Sequence, residues 1–362
     1  MRADTIPVVA VDIDTRMDLI RSEPLEEIIT EAELRSLLET KQRPVHYIGL
    51  EISGMPHIGH VLVAGKKIND FAKAGIETQV LLADWHTMAN NKLGGDWERI
   101  IRASEFYREL FSEVCPGTRV VLGSDLYRGN DDYWKMIMQM SRRVTMARAT
   151  RTLIIQGRSE KDTLHVSQYL YPIMQVADIA ALKVDIPHAG MDQRKVHMLA
   201  KEIFADLRIG GIVPVHHHLI PSLLQPPAVS ESAQKEEVVA AMKMSKSKPG
   251  SAIPILADQK EISSIIGSAW CPEGVTAENP VLLLCRYVIF PSGKSLKVER
   301  PSKYGGDAEF SSYGGLEAAY AARKLHPTDL KNAAASALSA IMEPIHRKFG
   351  SRRQEISELF AA

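Results

Sequence analysis

Three cysteines occur in 362 residues, Cys115, Cys271 and Cys285, and they stand at no metal-ligand spacing. They cannot all pair, so a disulfide framework is not expected and a reducing, cytoplasmic setting is the simple expectation. An excess of charge is also missing, since 44 Lys+Arg balance 44 Asp+Glu. That removes a global basic field as a reason to bind nucleic acid but leaves local patches open. No apolar run approaches the roughly 20 residues of a membrane helix. Met1 to Thr15 is mixed and acidic, without the apolar stretch of a secretory leader. Internal repeats and low-complexity tracts are absent too. What remains is an ordinary globular composition, 45% hydrophobic and 24% charged, on a chain long enough for two domains and a substantial core.

Along the chain, strand and helix patterns alternate. Residues 16–40 carry Leu, Ile and Glu at helical spacing and read as helix. Val45 to Leu50 reads as a first strand; a turn follows through Ser53, Gly54 and Pro56, and a helix begins near His57 and stops at Gly75. Thr78 to Asp84 is a short apolar run suited to a buried parallel strand. A helix at about 96–114 leads to a strand at Arg119 to Leu122, and Tyr133 to Thr150 is one long helical pattern. Helices follow from Leu170 and over about 191–206, then a strand from Ile212 to Val215. This alternation predicts an α/β fold with a parallel sheet. Residues 221–241, with Gln225-Pro226-Pro227, read as a mobile loop. Beyond Asp258 the segments are mostly helical, basic and broken by prolines, which places a domain boundary near 255–265.

Three short stretches carry chemistry. His57-Ile58-Gly59-His60 sits where a strand turns into a helix, where free backbone N–H groups and the helix dipole favour phosphate. Gly59 lets a base or ribose approach the backbone, and the two imidazoles share a helical face from which both can donate to phosphate oxygens. A zinc site with Asp84 and His86 is a second reading of this short string, although no Glu follows in the helix as a catalytic base. Lys243-Met244-Ser245-Lys246-Ser247 suits a loop that clamps a triphosphate, or else a solvated basic loop. Adenylate formation needs positioning and charge neutralisation as pyrophosphate leaves, and lysine supplies a flexible point charge. Tyr171, Gln175 and Asp178, at i, i+4 and i+7, put a phenol, an amide and a carboxylate on one face of an apolar helix. Such groups need partners, either a substrate or an internal hydrogen-bond network.

The first two runs resemble the HIGH and KMSKS signatures of class I aminoacyl-tRNA synthetases. Gly190-Met191-Asp192-Gln193-Arg194-Lys195 resembles the glycine-then-acidic-Gln-Arg-Lys stretch of the archaeal and eukaryotic tyrosyl enzymes, and the resemblance extends from about Tyr47 to about Ile345. It implies a Rossmann-like parallel-sheet catalytic domain over 41–260, with an inserted helical segment at about 127–168 that contributes to dimer contact. An N-terminal helical extension over 1–40 and a mostly helical anticodon-binding domain over 261–362 complete the implied plan. The implied substrates are ATP with Mg2+, L-tyrosine and tRNA(Tyr), joined through a tyrosyl-adenylate by a homodimer with no protein-bound metal and no membrane attachment. His57, His60, Lys243 and Lys246 would be catalytic, with Gly59 also at the ATP. Tyr47 and Asp178 would hold the substrate's phenol hydroxyl; Tyr171, Gln175 and Gln193 its α-amino group; Leu81 and His86 would line the ring pocket. Arg194 would read the first acceptor pair of the tRNA. Tyr304 would stack on the first anticodon base, where most of the family has Phe, and Asp329 would hydrogen-bond that base's edge. Arg142, Arg143, Arg148, Arg151 and Arg158 form a basic stripe for either the acceptor stem or the second subunit.

The pocket chemistry agrees with tyrosine. Asp178 can accept from a phenol O–H and Tyr47 can donate to its oxygen, a pair that phenylalanine leaves unsatisfied. Tyrosyl-tRNA synthetases are themselves the standing example of such discrimination, at about 10⁵ without editing, and no editing domain is evident here. The tryptophanyl enzyme shares the architecture but needs an acceptor for an indole N–H and a wider pocket. A small-molecule nucleotidyltransferase could share the His57–His60 turn but would not need the Lys243–Ser247 loop in this form. A non-catalytic RNA-binding paralogue should have lost a signature or pocket residue, and none is missing. His216, His217 and His218, adjacent on a strand, point to alternating faces, cannot all bind one metal and are assigned no role.

Overall fold

The structure, a computed structural model, describes residues 12–152, 165–226, 244 and 250–361. Helices α1 (Ile13–Arg21) and α2 (Glu31–Thr40) flank strand β1 (Leu25–Ile28). Then come β2 (Val45–Leu50), α3 (Ala64–Lys73), β3 (Glu77–Leu82), α4 (Asp84–Ala89), α5 (Trp97–Val114), β4 (Arg119–Leu122) and α6 (Gly123–Tyr127). The central part continues through α7 (Asp131–Ser141), α8 (Met146–Arg151), α9 (Val166–Ala181), β5 (Ile186–Gly190), α10 (Arg194–Leu207) and β6 (Val215–His217). The six strands form one sheet in the order β1-β6-β5-β2-β3-β4, parallel throughout except for β1, which runs antiparallel to β6.

The expected parallel α/β sheet is therefore present, and its core strands are largely buried on both faces because helices cover both. The helix α5 shows why: its buried residues Ile100, Ala103, Phe106, Tyr107, Leu110 and Phe111 recur at helical spacing, and the Asp96 side chain caps its first turn.

Three local expectations are corrected and a fourth is refined. The stretch 16–40 is not continuous helix: Leu25-Glu26-Glu27-Ile28 is a strand, recruited by pairing with β6 in a register of Ile28 with Val215. Helical periodicity on either side hid four residues whose conformation is set by that long-range pairing. The pattern from Tyr133 to Thr150 is two helices, because Thr145 accepts from the Arg148 N–H and starts a new one at Met146. The last parallel strand begins at Val215, later than expected, and includes His216 and His217. The helix after His57 opens with a wide turn over Gly59–Val63 before regular α3.

Beyond Asp258 the helices Gln259–Ser268, Pro280–Leu284, Tyr313–Ala321, Pro327–Phe349 and Arg353–Phe360 accompany the hairpin β7 (Leu296–Val298) and β8 (Ala308–Phe310). The boundary expected near 255–265 is a change of architecture without a break in packing. One apolar cluster runs from Ile48, Val80 and Phe106 to Leu338 and Phe349, and Arg352–Glu109 (2.8 Å) and Lys348–Glu113 (2.7 Å) tie the last helices to α5.

Candidate active site

The strand order turns back between β5 and β2, and a cavity of about 360 Å³ lies past the carboxyl ends of these two strands. That is where open parallel sheets bind ligands, because the loops of neighbouring strands diverge there. Its wall brings together Tyr47, His57, Gly59, His60, His86, Tyr171, Gln175, Asp178 and Gln193. Leu81 is the exception: it is fully buried in the apolar cluster behind Tyr47 and does not line the cavity. Lys243 and Lys246 lie outside the described residues, as do Arg158 and most of the loop 221–241. Met244 is described, buried against the wall, with its N–H donating to Ile220 O at 3.0 Å.

Asp178 is the chemical focus. It is 1% exposed, and burial pushes its carboxyl up to about 7, against the opposing hydrogen bonds of Tyr133 and Tyr127. Its Oδ1 accepts from Tyr127 Oη at 2.9 Å and Tyr133 Oη at 2.8 Å. Its Oδ2 is buried without a hydrogen-bond partner, 3.5 Å from His86 Nε2. Neither ring nitrogen of His86 has a partner, and burial lowers its pKa to about 4, so the imidazole is neutral. An orphaned buried acceptor of this kind costs about 1–3 kcal/mol or more and calls for a donor. Tyr47 faces the same cavity, and burial with the nearby Asp178 charge holds its phenol protonated, hence a donor. On α9 the anticipated polar face forms as read, and Gln175 reaches toward Gln193 at 3.5 Å.

Gly49 explains the pose of Tyr47. A Cβ there would sit 2.4 Å from Tyr47 Oη. Gly49→Ala is therefore expected to displace the phenol and weaken binding of a ligand that accepts from it about tenfold, roughly the loss of one hydrogen bond, while the fold persists. Equilibrium binding of L-tyrosine, the substrate that the sequence resemblance implies, with a thermal melt checks this.

The other end of the cavity holds the His57–His60 turn, and here one expectation fails. The backbone donors are already engaged: Ile58 N–H bonds Ile253 O, Gly59 N–H bonds His57 Nδ1, and His60 N–H bonds His57 O. A phosphate at this turn would meet side chains, not a cradle of free amides. The two imidazoles do share a face, stacked with centroids 3.9 Å apart. A Cβ at Gly59 would come within 3.0 Å of the His57 ring, so the glycine makes room for that stack. Glu51, Ser53, Lys92, Asp192 and His218 also line the cavity; Asp192 stands in the Gly190–Lys195 run, which assigns it no role, and no short motif assigns one to the others.

Tyr127 and Tyr133 carry no signal in the sequence that marks them for the site. They are six positions apart, on two different helices, and only the fold brings their hydroxyls to one oxygen. The residues His216 and His217 point to opposite faces: His216 bonds His197 and Glu27, His217 bonds His188. Burial lowers both to about 4 and keeps them neutral. Arg194 lies outside the cavity wall, its Nε donating to Glu27 on β1 at 2.9 Å. Tyr304 is 63% exposed on a short turn with Lys303 Nζ 4.7 Å over its ring, and Asp329 sits in the first turn of Pro327–Phe349.

Known proteins share this chain's sequence and fold. The family model for class I tRNA synthetases (W and Y) matches residues 39–343. The tyrosine–tRNA ligase of Pyrobaculum arsenaticum is 42% identical over 358 residues, covering 94% of this chain and 95% of that protein. The tyrosine–tRNA ligase of Pyrococcus furiosus is 42% identical over 369 residues, covering 96% and 98%. The crystal structure of tyrosyl-tRNA synthetase complexed with L-tyrosine from Pyrococcus horikoshii matches with a TM-score of 0.90 at 40% identity, covering 97% of this chain and 99% of that one.

Proposed function

The chain belongs to the class I tRNA synthetases of the tryptophan and tyrosine group, and from that premise we propose that it is a tyrosine–tRNA ligase whose cavity takes L-tyrosine. The observation that carries the choice is Asp178 Oδ2, a buried acceptor without a donor, facing the same cavity as the Tyr47 hydroxyl. The substrate's phenol supplies both missing halves: its hydrogen goes to Asp178 and its oxygen accepts from Tyr47. Neutral His86 and Tyr171, edge to face at 4.6 Å, flank the aromatic ring. Gln175, Gln193 and Tyr171 receive the α-amino group, which points the carboxylate toward His57 and His60.

There the substrate carboxylate oxygen attacks the α-phosphorus of ATP, pyrophosphate leaves, and the tyrosyl-adenylate is held. The 3′-terminal hydroxyl of tRNA(Tyr) then attacks the adenylate carbonyl and releases AMP. His57 and His60 donate to phosphate oxygens, and Lys243 and Lys246 neutralise the departing pyrophosphate. The nucleotide enters as its Mg2+ complex. ATP–pyrophosphate exchange with each standard amino acid is the test: exchange with tyrosine alone is expected, and exchange with tryptophan, or with none, overturns the reading.

Residues 41–260 form the catalytic domain in this reading, 261–362 the anticodon-binding domain, and the segment about 127–168 contributes to a homodimer in the cytoplasm. Arg143 and Arg148 pair with Asp206 and Glu202 on α10 in the single chain. Arg194, turned outward by Glu27, meets the acceptor end. Tyr304 stacks on an anticodon base and Asp329 hydrogen-bonds its edge. Asp329→Ala is then expected to lower aminoacylation about tenfold to a hundredfold, the 1–3 kcal/mol of one base contact, and to spare pyrophosphate exchange. Equal loss in both assays would place Asp329 elsewhere.

A further inference from the structure

Asp178 is held by more than burial. The phenols of Tyr127 and Tyr133 donate to one and the same oxygen. Their rings stack with centroids 4.5 Å apart, Trp85 meets the edge of Tyr127 at 5.6 Å, and Trp134 meets Tyr133 at 5.5 Å. Both tyrosines are almost fully buried, 2% and 1% exposed, and neither lines the cavity. An ionised carboxylate offers about four lone-pair sites; here two on Oδ1 are filled while Oδ2 has none filled. Rotation of the carboxylate plane would break two charge-assisted hydrogen bonds at once, so its orientation is fixed.

We propose that Tyr127 and Tyr133 are positioning residues for amino-acid recognition, a clamp that turns Asp178 Oδ2 toward the cavity as a single acceptor for the substrate's phenolic hydrogen. This rests on the reading of the cavity as a tyrosine site. The clamp also bears on ionisation. Groups around the carboxylate are Tyr47 from β2, Asp84 and His86 from α4, Tyr127 from α6, Tyr133 from α7 and Tyr171 from α9. Burial and the Asp84 charge favour the protonated form, whereas the two phenolic hydrogen bonds favour the anion. Removing the hydroxyls therefore moves the carboxyl's titration upward.

The test uses the full chain with Tyr127→Phe and Tyr133→Phe, singly and together, since Phe keeps ring volume and stacking and removes only the donors. In pyrophosphate exchange the double variant is expected to raise the KM for tyrosine about tenfold or more, leave the KM for ATP unchanged, and shift the acidic limb of kcat/KM for tyrosine to higher pH. Its preference for tyrosine over phenylalanine should fall in parallel. An unmoved acidic limb, with or without a change in KM, would reduce the two phenols to space-filling and overturn the clamp. Where the double variant does not fold, the single variants decide: each should give part of the shift, and an unmoved limb in both overturns the clamp. Wild-type protein assayed alongside separates the two levels: no exchange with tyrosine overturns the site reading and the clamp together, whereas normal wild-type exchange with unshifted variants overturns the clamp alone.

Discussion

Asp178→Ala is expected to lower kcat/KM for tyrosine activation by about 10³-fold or more while the protein stays folded. The substitution removes the proposed acceptor of the substrate phenol and also strands the buried hydroxyls of Tyr127 and Tyr133. A hydrogen bond to a charged partner is worth about 1.5–3 kcal/mol, each orphaned buried donor adds about 1–3, and 1.4 kcal/mol is tenfold in rate. Pyrophosphate exchange measures the loss, and unchanged kinetics would mean that the pocket is misassigned. The isosteric Asp178→Asn separates activity from stability. The folded carboxyl titrates near 7, above the ordinary value of 3.8. Its folded pKa is raised, so its favourable contribution is present below about pH 4 and is lost as pH rises through about 7. At pH 8 the empty site therefore holds an unfavourable buried anion. Asp178→Asn should melt higher than wild type at pH 8, and the gap should close toward pH 4. A lower melting temperature at pH 8 would show that the anion is already stabilised in the empty protein.

Much of this was legible in the sequence, for identifiable reasons. The parallel strands read well because helices cover both faces and force continuous apolar runs such as Val80-Leu81-Leu82. The polar face of α9 read well because Tyr171, Gln175 and Asp178 recur at helical spacing, a local property. Strand β1 was hidden because its pairing partner lies near residue 216, and a four-residue edge has no period of its own. Tyr127 and Tyr133 were hidden for the same reason: their shared target, Asp178, is about 50 residues away along the chain. The His57 turn was half legible. Two imidazoles on one face follow from spacing, but the capture of the Ile58 amide by Ile253 is tertiary, and that of the Gly59 amide by the His57 ring depends on a side-chain rotamer that spacing does not set. Local periodicity thus located the wall of the site, while the partners that tune it came only with the fold.

Replacing Lys243 and Lys246 together by Ala is expected to cut adenylate formation by about 10³-fold and leave the dissociation constant for tyrosine unchanged. Of this run, Met244 is the residue that the structure describes. It is 3% exposed, its N–H bonds Ile220 O at 3.0 Å, and it lines the cavity with His57 and His60. Ile220 is itself beside the turn, 4.0 Å from where a Cβ on Gly59 would stand. Lys243 adjoins Met244 in sequence and Lys246 is two residues beyond. Under the proposed function their ammonium groups neutralise the charge that accumulates on pyrophosphate as it leaves. Losing one preorganised donor at a developing charge costs about 10²–10³-fold in rate, and two that share one leaving group are not expected to add fully. Arginine at both positions should restore only part of the rate, because a planar fork replaces a mobile point charge. Exchange kinetics read the rate and equilibrium dialysis the tyrosine affinity. A dissociation constant that rises with the loss of rate would place the lysines in amino-acid binding and remove the division of labour between the two ends of the cavity.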